Sequence, residues 1–207
     1  MSSRLGRRGV LLGLLTSGCV VDALPGRGPQ PQLYVLSPKN TFANDLPTVK
    51  WQLAVEEPVA SGGLDTQKIA LAKHPLETEY FAEVRWTERA PAMVQTLIVE
   101  SFENSGRIMA VARQALSIRA DYELKADLRE FQAEYFNGAK VPTAHVRLNA
   151  KLVRHPRREI VAAQGFDVRV PAQSNEMLAI VAAFDEALGK VLRRLVEWTL
   201  TAAPEKA

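Results

Sequence analysis

One thiol, three imidazoles and a run of carboxylates interleaved with bases are the groups in this chain able to do chemistry. The thiol is Cys19, the sole cysteine of 207 residues. A lone cysteine is a liability in an oxidising compartment, so it points to a use for its sulfur. The residues before it suggest the use. Arg4, Arg7 and Arg8 are followed by the apolar run Val10, Leu11, Leu12, Leu14 and Leu15, and then by the small residues Thr16, Ser17 and Gly18. A positive segment, a short apolar run and small residues make an export signal. The run is far below the roughly 20 residues that a transmembrane helix needs. Small residues ending at a cysteine resemble a lipobox, in which the cysteine is acylated and becomes the new N-terminus. Thr16 stands where leucine is usual there, and Leu15 sits one place early. The expected chemistry of Cys19 is lipid attachment. The Arg7-Arg8 pair leaves twin-arginine export open beside the general secretory route.

The other groups offer less. His74 and His155 each precede a proline and are expected in turns. His145 falls on the polar side of an alternating strand, so all three histidines read as solvated surface residues. The sequence holds no HExxH, no cysteine pair and no close carboxylate–histidine spacing that would ligate a metal. It has no GxSxG elbow, and Gly62-Gly63 makes no phosphate loop. The acids of ADYELKADLREFQAEY alternate with bases, a pattern for cross-strand ion pairs worth about 0.2–1 kcal/mol each rather than for a carboxylate dyad. No catalytic, metal-ligating or cofactor-binding residue is assigned, and the chain is expected not to be an enzyme.

Charge excludes a further class. The chain carries 26 Lys and Arg against 23 Asp and Glu. The excess of three is Arg4, Arg7 and Arg8, all inside the segment that cleavage before Cys19 would remove. The remaining chain is formally neutral, so the basic pI is no argument for a nucleic-acid partner.

Positioning elements follow from periodicity. Residues 1–18 are expected to be a signal peptide. Residues 19–31, where Pro25, Pro29 and Pro31 alternate with Gly26 and Gly28, are expected to be a lipidated flexible linker. Residues 32–203 are expected to form one domain. Within it, LYVLSP, the alternation Val49, Trp51, Leu53, Val55, the segment QKIALAKH and the run Tyr80 to Trp86 predict strands. Ala90, Val94, Leu97, Ile98 and Phe102 fall at helical spacing, with Thr87 as N-cap, Pro91 in the first turn and Gly106 past the end. RIMAV predicts a strand.

The strongest signal lies between 120 and 171. Tyr122, Leu124, Ala126 and Leu128 alternate with polar residues, and then the phase slips by one to Phe131, Ala133 and Tyr135, as a β-bulge would make it. Asn137-Gly138 marks a turn. Ala144 to Leu152 and then Phe166 to Val170 alternate again, predicting an antiparallel meander with one wet face. Met177, Val181, Phe184, Leu188, Val191, Leu195 and Trp198 form one stripe of a long helix, capped by Ser174 or Asn175, that packs on a sheet. Trp51, Trp86 and Trp198 share phase with apolar neighbours and are expected in the core. The sum is an α+β fold, a largely antiparallel sheet with two main helices on one face.

Several of these segments carry a family resemblance. LDTQKIAL, ETEYFAEVRWTERAPAMVQTLIVESFENSG, DYELKADLREFQAEY and the late AFDEAL and VEWTL are together similar to the ABC-type transport auxiliary lipoproteins, which are related to the paraquat-inducible protein C group. RWTERAP and LREFQAEY are the most telling pieces, and the resemblance spans about Leu33 to Leu200.

It implies a non-enzymatic periplasmic lipoprotein auxiliary to an MCE-type ABC transport system that moves lipids between inner and outer membranes. The implied partners are an MCE-domain protein and the ABC permease and ATPase, with the membrane reached through the lipid on Cys19. No cofactor is implied. Val20 rather than aspartate after Cys19 favours the outer membrane. A lipid-binding carrier, with phospholipid held between sheet and helices, stays open as the alternative, and a periplasmic hydrolase finds little motive. Exposed sheet edges and the helix stripe also raise self-association into a homo-oligomer.

Overall fold

The alternation that begins at Tyr122 becomes the spine of the sheet. The computed structural model describes residues 30–113 and 119–203, so the expected export segment and Cys19 lie outside the described residues. A compact unit begins at Pro31. Its elements, in chain order, are β1 (Gln32–Tyr34), β2 (Val49–Val55), β3 (Val59–Ala60), β4 (Lys68–Ala72), β5 (Glu79–Trp86), α1 (Ala90–Ser105), β6 (Ile108–Arg113), β7 (Tyr122–Glu134), β8 (Thr143–Arg154), β9 (Glu159–Pro171) and α2 (Met177–Ala202).

Along one edge, β7 pairs antiparallel with β8 from Tyr122↔Arg154 to Glu134↔Thr143, and β8 pairs antiparallel with β9. The ladder shifts register between Leu128 and Glu130, where the sequence slips phase. Asn137 and Gly138, both at positive φ, turn the chain between β7 and β8. This is the expected meander.

The other edge of β7 is shared by three short strands in succession. β2 pairs at Leu53↔Tyr122, β3 at Val59↔Asp127 and β4 at Ala70↔Gln132, all parallel. β6 then adds parallel to β2, β5 antiparallel to β4, and β1 parallel to β5. Among the described residues five strand pairings are parallel and three antiparallel. The sheet is therefore mixed and curled, not largely antiparallel as the alternation led us to expect. The physical reason is that side chains alternate with period two whichever way a neighbour runs; direction is set by the connections. Pro58, which has no N–H for a ladder, and the Gly62-Gly63 turn break the run from β2 to β4 into three pieces.

Side chains bridge those breaks. Arg89, just before α1, reaches Glu57 at the first break (2.6 Å) and Asp65 at the second. Lys125 of β7 pairs with Glu56. The RWTERAP segment thus supplies a core tryptophan, Trp86, and a clamp, Arg89.

Both helices lie on one face, α1 over β6 and β2, α2 over β8 and β9, and they touch each other. Every α1 residue expected to face inward is buried, and Gly106 closes the helix in the left-handed conformation (φ 60°). Neither predicted N-cap is used. Arg89 and Glu176 occupy the cap positions without a side-chain bond, and the peptide N–H of Ala90 is instead donated to the Thr66 carbonyl (3.1 Å). Trp86, Phe131 and Phe184 meet at the centre of the core, with ring centroids 5.2–5.6 Å apart. Trp51 is buried, and Trp198 is half-buried against Phe166.

Residues 35–48 form a strap over the helix layer. Peptide N–H groups of Ser37, Lys39 and Ala43 are donated to Asp185, Ser101 and Glu197 (2.6, 2.9 and 3.0 Å), and Leu36 and Leu46 are buried beneath.

Candidate functional site

His145 is not the solvated residue that its place on the polar side of a strand suggests. It is 2% exposed. Its Nδ1 lies 2.6 Å from Glu134 Oε1 and its Nε2 3.0 Å from Asp167 Oδ1. Strand alternation puts all three on the face away from the helices, Glu134 at the end of β7, His145 in β8 and Asp167 in β9. Arg169 of β9 completes the cluster, donating from Nη1 to Asp167 (2.9 Å) and from Nε to Glu134 (3.4 Å). Arg147 stands 3.9 Å from Asp167. A central strand flanked on both sides hides its polar groups beneath the long side chains of its neighbours, which explains the burial that the single-strand pattern could not show.

The arrangement holds strands together and does not equip a catalyst. A general base needs a ring nitrogen free to meet a substrate. Both nitrogens of His145 are engaged, and it lines none of the cavities described below. Glu134, a buried carboxylate held through one oxygen by His145 and through the other by Arg169, fixes register instead. A second polar pocket surrounds Glu123, also buried on this face, with Lys125 at 3.6 Å and His155 at 3.4 Å. His74 is exposed in the β4–β5 turn. The acids and bases of β7 do pair, but not across the strand ladder as expected: Lys125–Glu123 and Arg129–Asp127 join neighbours on one face of β7 itself, and Lys125 also reaches Glu56 just past the end of β2. Among the described residues no group of His, Cys, Asp and Glu side chains has metal-binding geometry, and no helix is long and apolar enough to cross a membrane.

Two cavities lie at opposite ends of β7. One, of about 590 Å³, opens where β2 begins and α2 ends; Val49, Trp51, Leu200 and Ala203 give it apolar walls, and Lys50 and Asp121 polar ones. The other, of about 420 Å³, is lined by Leu71, Lys73, Tyr135, Gly138, Ala139 and Asn175. Three connections converge there: the β4–β5 turn, the β7–β8 turn and the β9–α2 link. Tyr135 ties them, giving its N–H to Ala72 (2.8 Å) and its hydroxyl to Asn175 (2.6 Å). Burial pushes the Tyr135 phenol up from its ordinary value. Sequence reasoning passed over this end because its residues belong to turns. The signal available was Leu76, an aliphatic residue in a polar turn.

The family model described as ABC-type transport auxiliary lipoprotein component matches residues 34–196. The crystal structure of protein XCC0632 from Xanthomonas campestris is 36% identical and superposes with a TM-score of 0.78, covering 83% of this chain and 95% of that one. A second solved structure, of an uncharacterized protein, shares 12% identity at a TM-score of 0.64 over 81% of this chain and 97% of its own, a likeness of fold alone. Uncharacterized protein bll6063 of Bradyrhizobium diazoefficiens is 29% identical over 197 residues, 94% of this chain. This chain spans about half (50%) of that curated relative's length.

Proposed function

Since this chain belongs to the ABC-type transport auxiliary lipoprotein family, we propose that it is a non-enzymatic, lipid-anchored component of an MCE-type ABC system that moves lipids between the inner and outer membranes. Family membership itself implies an envelope lipoprotein associated with ABC transport components. The finer reading is ours. Residues 1–18 direct export and are removed. Cys19 is acylated. Residues 19–31 tether the domain, and Val20 directs it to the outer membrane, where the domain docks an MCE-domain partner of the permease and ATPase.

The observation that carries this reading is the family match over residues 34–196, nearly the whole domain. The engaged nitrogens of His145 support a docking role over a catalytic one. In-cell cross-linking is expected to recover an MCE-domain protein, and repeated recovery of none would sink the proposal. A Cys19→Ala variant is expected to leave the membrane fraction and lose activity in vivo; full membrane association of that variant would overturn the anchor.

The cavity of about 590 Å³ favours one second reading, a lipid carrier, because Trp51, Val49 and Leu200 offer an acyl chain an apolar wall. Native mass spectrometry separates the two: a carrier retains phospholipid through purification, and a docking module does not.

A further inference from the structure

The end of the sheet around Tyr135 has a property that the docking role does not use. The β4–β5 turn is exposed throughout residues 73–78, and Leu76 at its tip is 92% exposed. Val141 stands out from the β7–β8 turn, and Leu178, 70% exposed, from the first turn of α2. Register places all three at one end. Ala72 of β4 is level with Glu134 of β7, Glu134 with Thr143, and Thr143 with Pro171 of β9. Neighbouring strands are spaced about 4.8 Å apart, so the first two turn tips are only about 10 Å apart along the rim.

The chain enters the domain part-way along β5, with the start of β1 facing this end. β5 runs away from this end, and β1 runs parallel to it, pairing Gln32 with Val84. Pro31 therefore lies on the side of β1 toward the exposed turns. Eleven residues separate Cys19 from Pro31. Such a length of chain reaches at most roughly 40 Å when fully extended. A lipid on Cys19 would hold this end within a few nanometres of the bilayer at high effective concentration.

We propose that this end is a membrane-contact surface, with Leu76, Val141 and Leu178 resting in the phospholipid interface while Cys19 supplies the anchor. This rests on the reading of Cys19 as acylated. Three isolated aliphatic tips on separate connections suit a fluid interface, which demands no shape match; a protein partner selects a contiguous packed patch. Charge does not drive the contact. Lys73 and Lys140 could reach lipid phosphates, but Glu77, Glu79 and Glu176 share this end. Insertion of the aliphatic tips does.

The test uses the full lipidated chain in vesicles of phosphatidylethanolamine and phosphatidylglycerol containing spin-labelled phosphatidylcholine as a shallow quencher. With Cys19 blocked by acylation, Leu76→Cys, Val141→Cys, Leu178→Cys and, for reference, Ile160→Cys each present one thiol for an environment-sensitive fluorophore. Ile160 is exposed at the opposite end. Quenching at 76, 141 and 178 is expected to exceed that at 160 by about threefold or more. Leu76→Asp combined with Leu178→Asp should lower quenching at 141 while flotation with vesicles persists. Intact flotation with quenching no greater than at 160 overturns the contact alone. Shielding of position 76 that needs an added MCE-domain protein also overturns it and assigns the end to protein docking. A mature chain that intact-mass measurement finds without an acyl group on Cys19 overturns the anchor, and this inference with it.

Discussion

The two edges of β7 are built differently. Toward β8 the ladder runs unbroken from Tyr122 to Glu134 except for the bulge, and an eight-residue return joins the strands. Toward β2, β3 and β4 the same strand is paired in three short stretches, and the chain reaches them by crossing α1 and β6. One edge is held by consecutive main-chain bonds and a packed core. The other depends on side chains, Arg89 and Lys125, spanning its breaks. The contrast predicts that the meander sets global stability and that the interrupted edge opens locally, because short ladders beside exposed ion pairs are the low-stability parts of a sheet.

The harshest test is Leu148→Ala in β8. Leu148 is buried opposite Leu128 and Phe166. Its truncation should cost about 2–5 kcal/mol, seen as a lower denaturant midpoint at unchanged slope. A loss under about 1 kcal/mol would break the contrast, since core truncations normally exceed that.

His145→Ala comes next. It leaves the Glu134 carboxylate buried without its closest partner and should cost about 1–3 kcal/mol. An equal effect in high salt identifies the cluster as shielded from counterions.

Arg89→Ala should be milder, at most about 1 kcal/mol globally because the pairs are half-exposed. Hydrogen exchange at Val59 and Ala60 should nevertheless quicken, while β8 amides stay protected. Matching exchange changes on both edges would erase the distinction.

The smallest effect is at alkaline pH, where both edges end at Tyr135. Burial raises its phenol above the ordinary 10.0, so folding disfavours the phenolate. The associated stability is full below pH 10 and lost as pH rises through the higher folded value. Tyr135→Phe should flatten that alkaline decline in a thermal-melt series, and an unchanged decline would remove Tyr135 from the account.

The same contrast explains what was legible in the sequence. Along β7, β8 and β9 the neighbours in space are neighbours in sequence, joined by short returns at residues 135–142 and 155–158, so alternation and the Asn137-Gly138 turn signal sufficed. The phase slip at Leu128 and Phe131 even located the bulge. On the other edge, β2 meets β7 some seventy residues away, and no period records that distance or direction. β3, two residues long, carries no pattern at all.

The polar cluster was hidden for a related reason. His145 alternates like a solvated residue, and only the packing of Glu134 and Asp167 from strands on either side makes it interior. The proposed export segment and the proposed acylation of Cys19 rest on local composition, which needs no partner in space.

The strap of residues 35–48 has a mechanical consequence. Tension applied ahead of Pro31 is met first by the three-residue pairing of β1 with β5, and then in series by the Ser37–Asp185, Lys39–Ser101 and Ala43–Glu197 bonds. These join at side chains, one after another, where the β7–β8 ladder would have to shear many bonds together. A pull applied there should therefore peel β1 and the strap away as a separate low-force step, which single-molecule extension would record ahead of rupture of the core. The domain carries its own strain relief between its entry at Pro31 and the sheet.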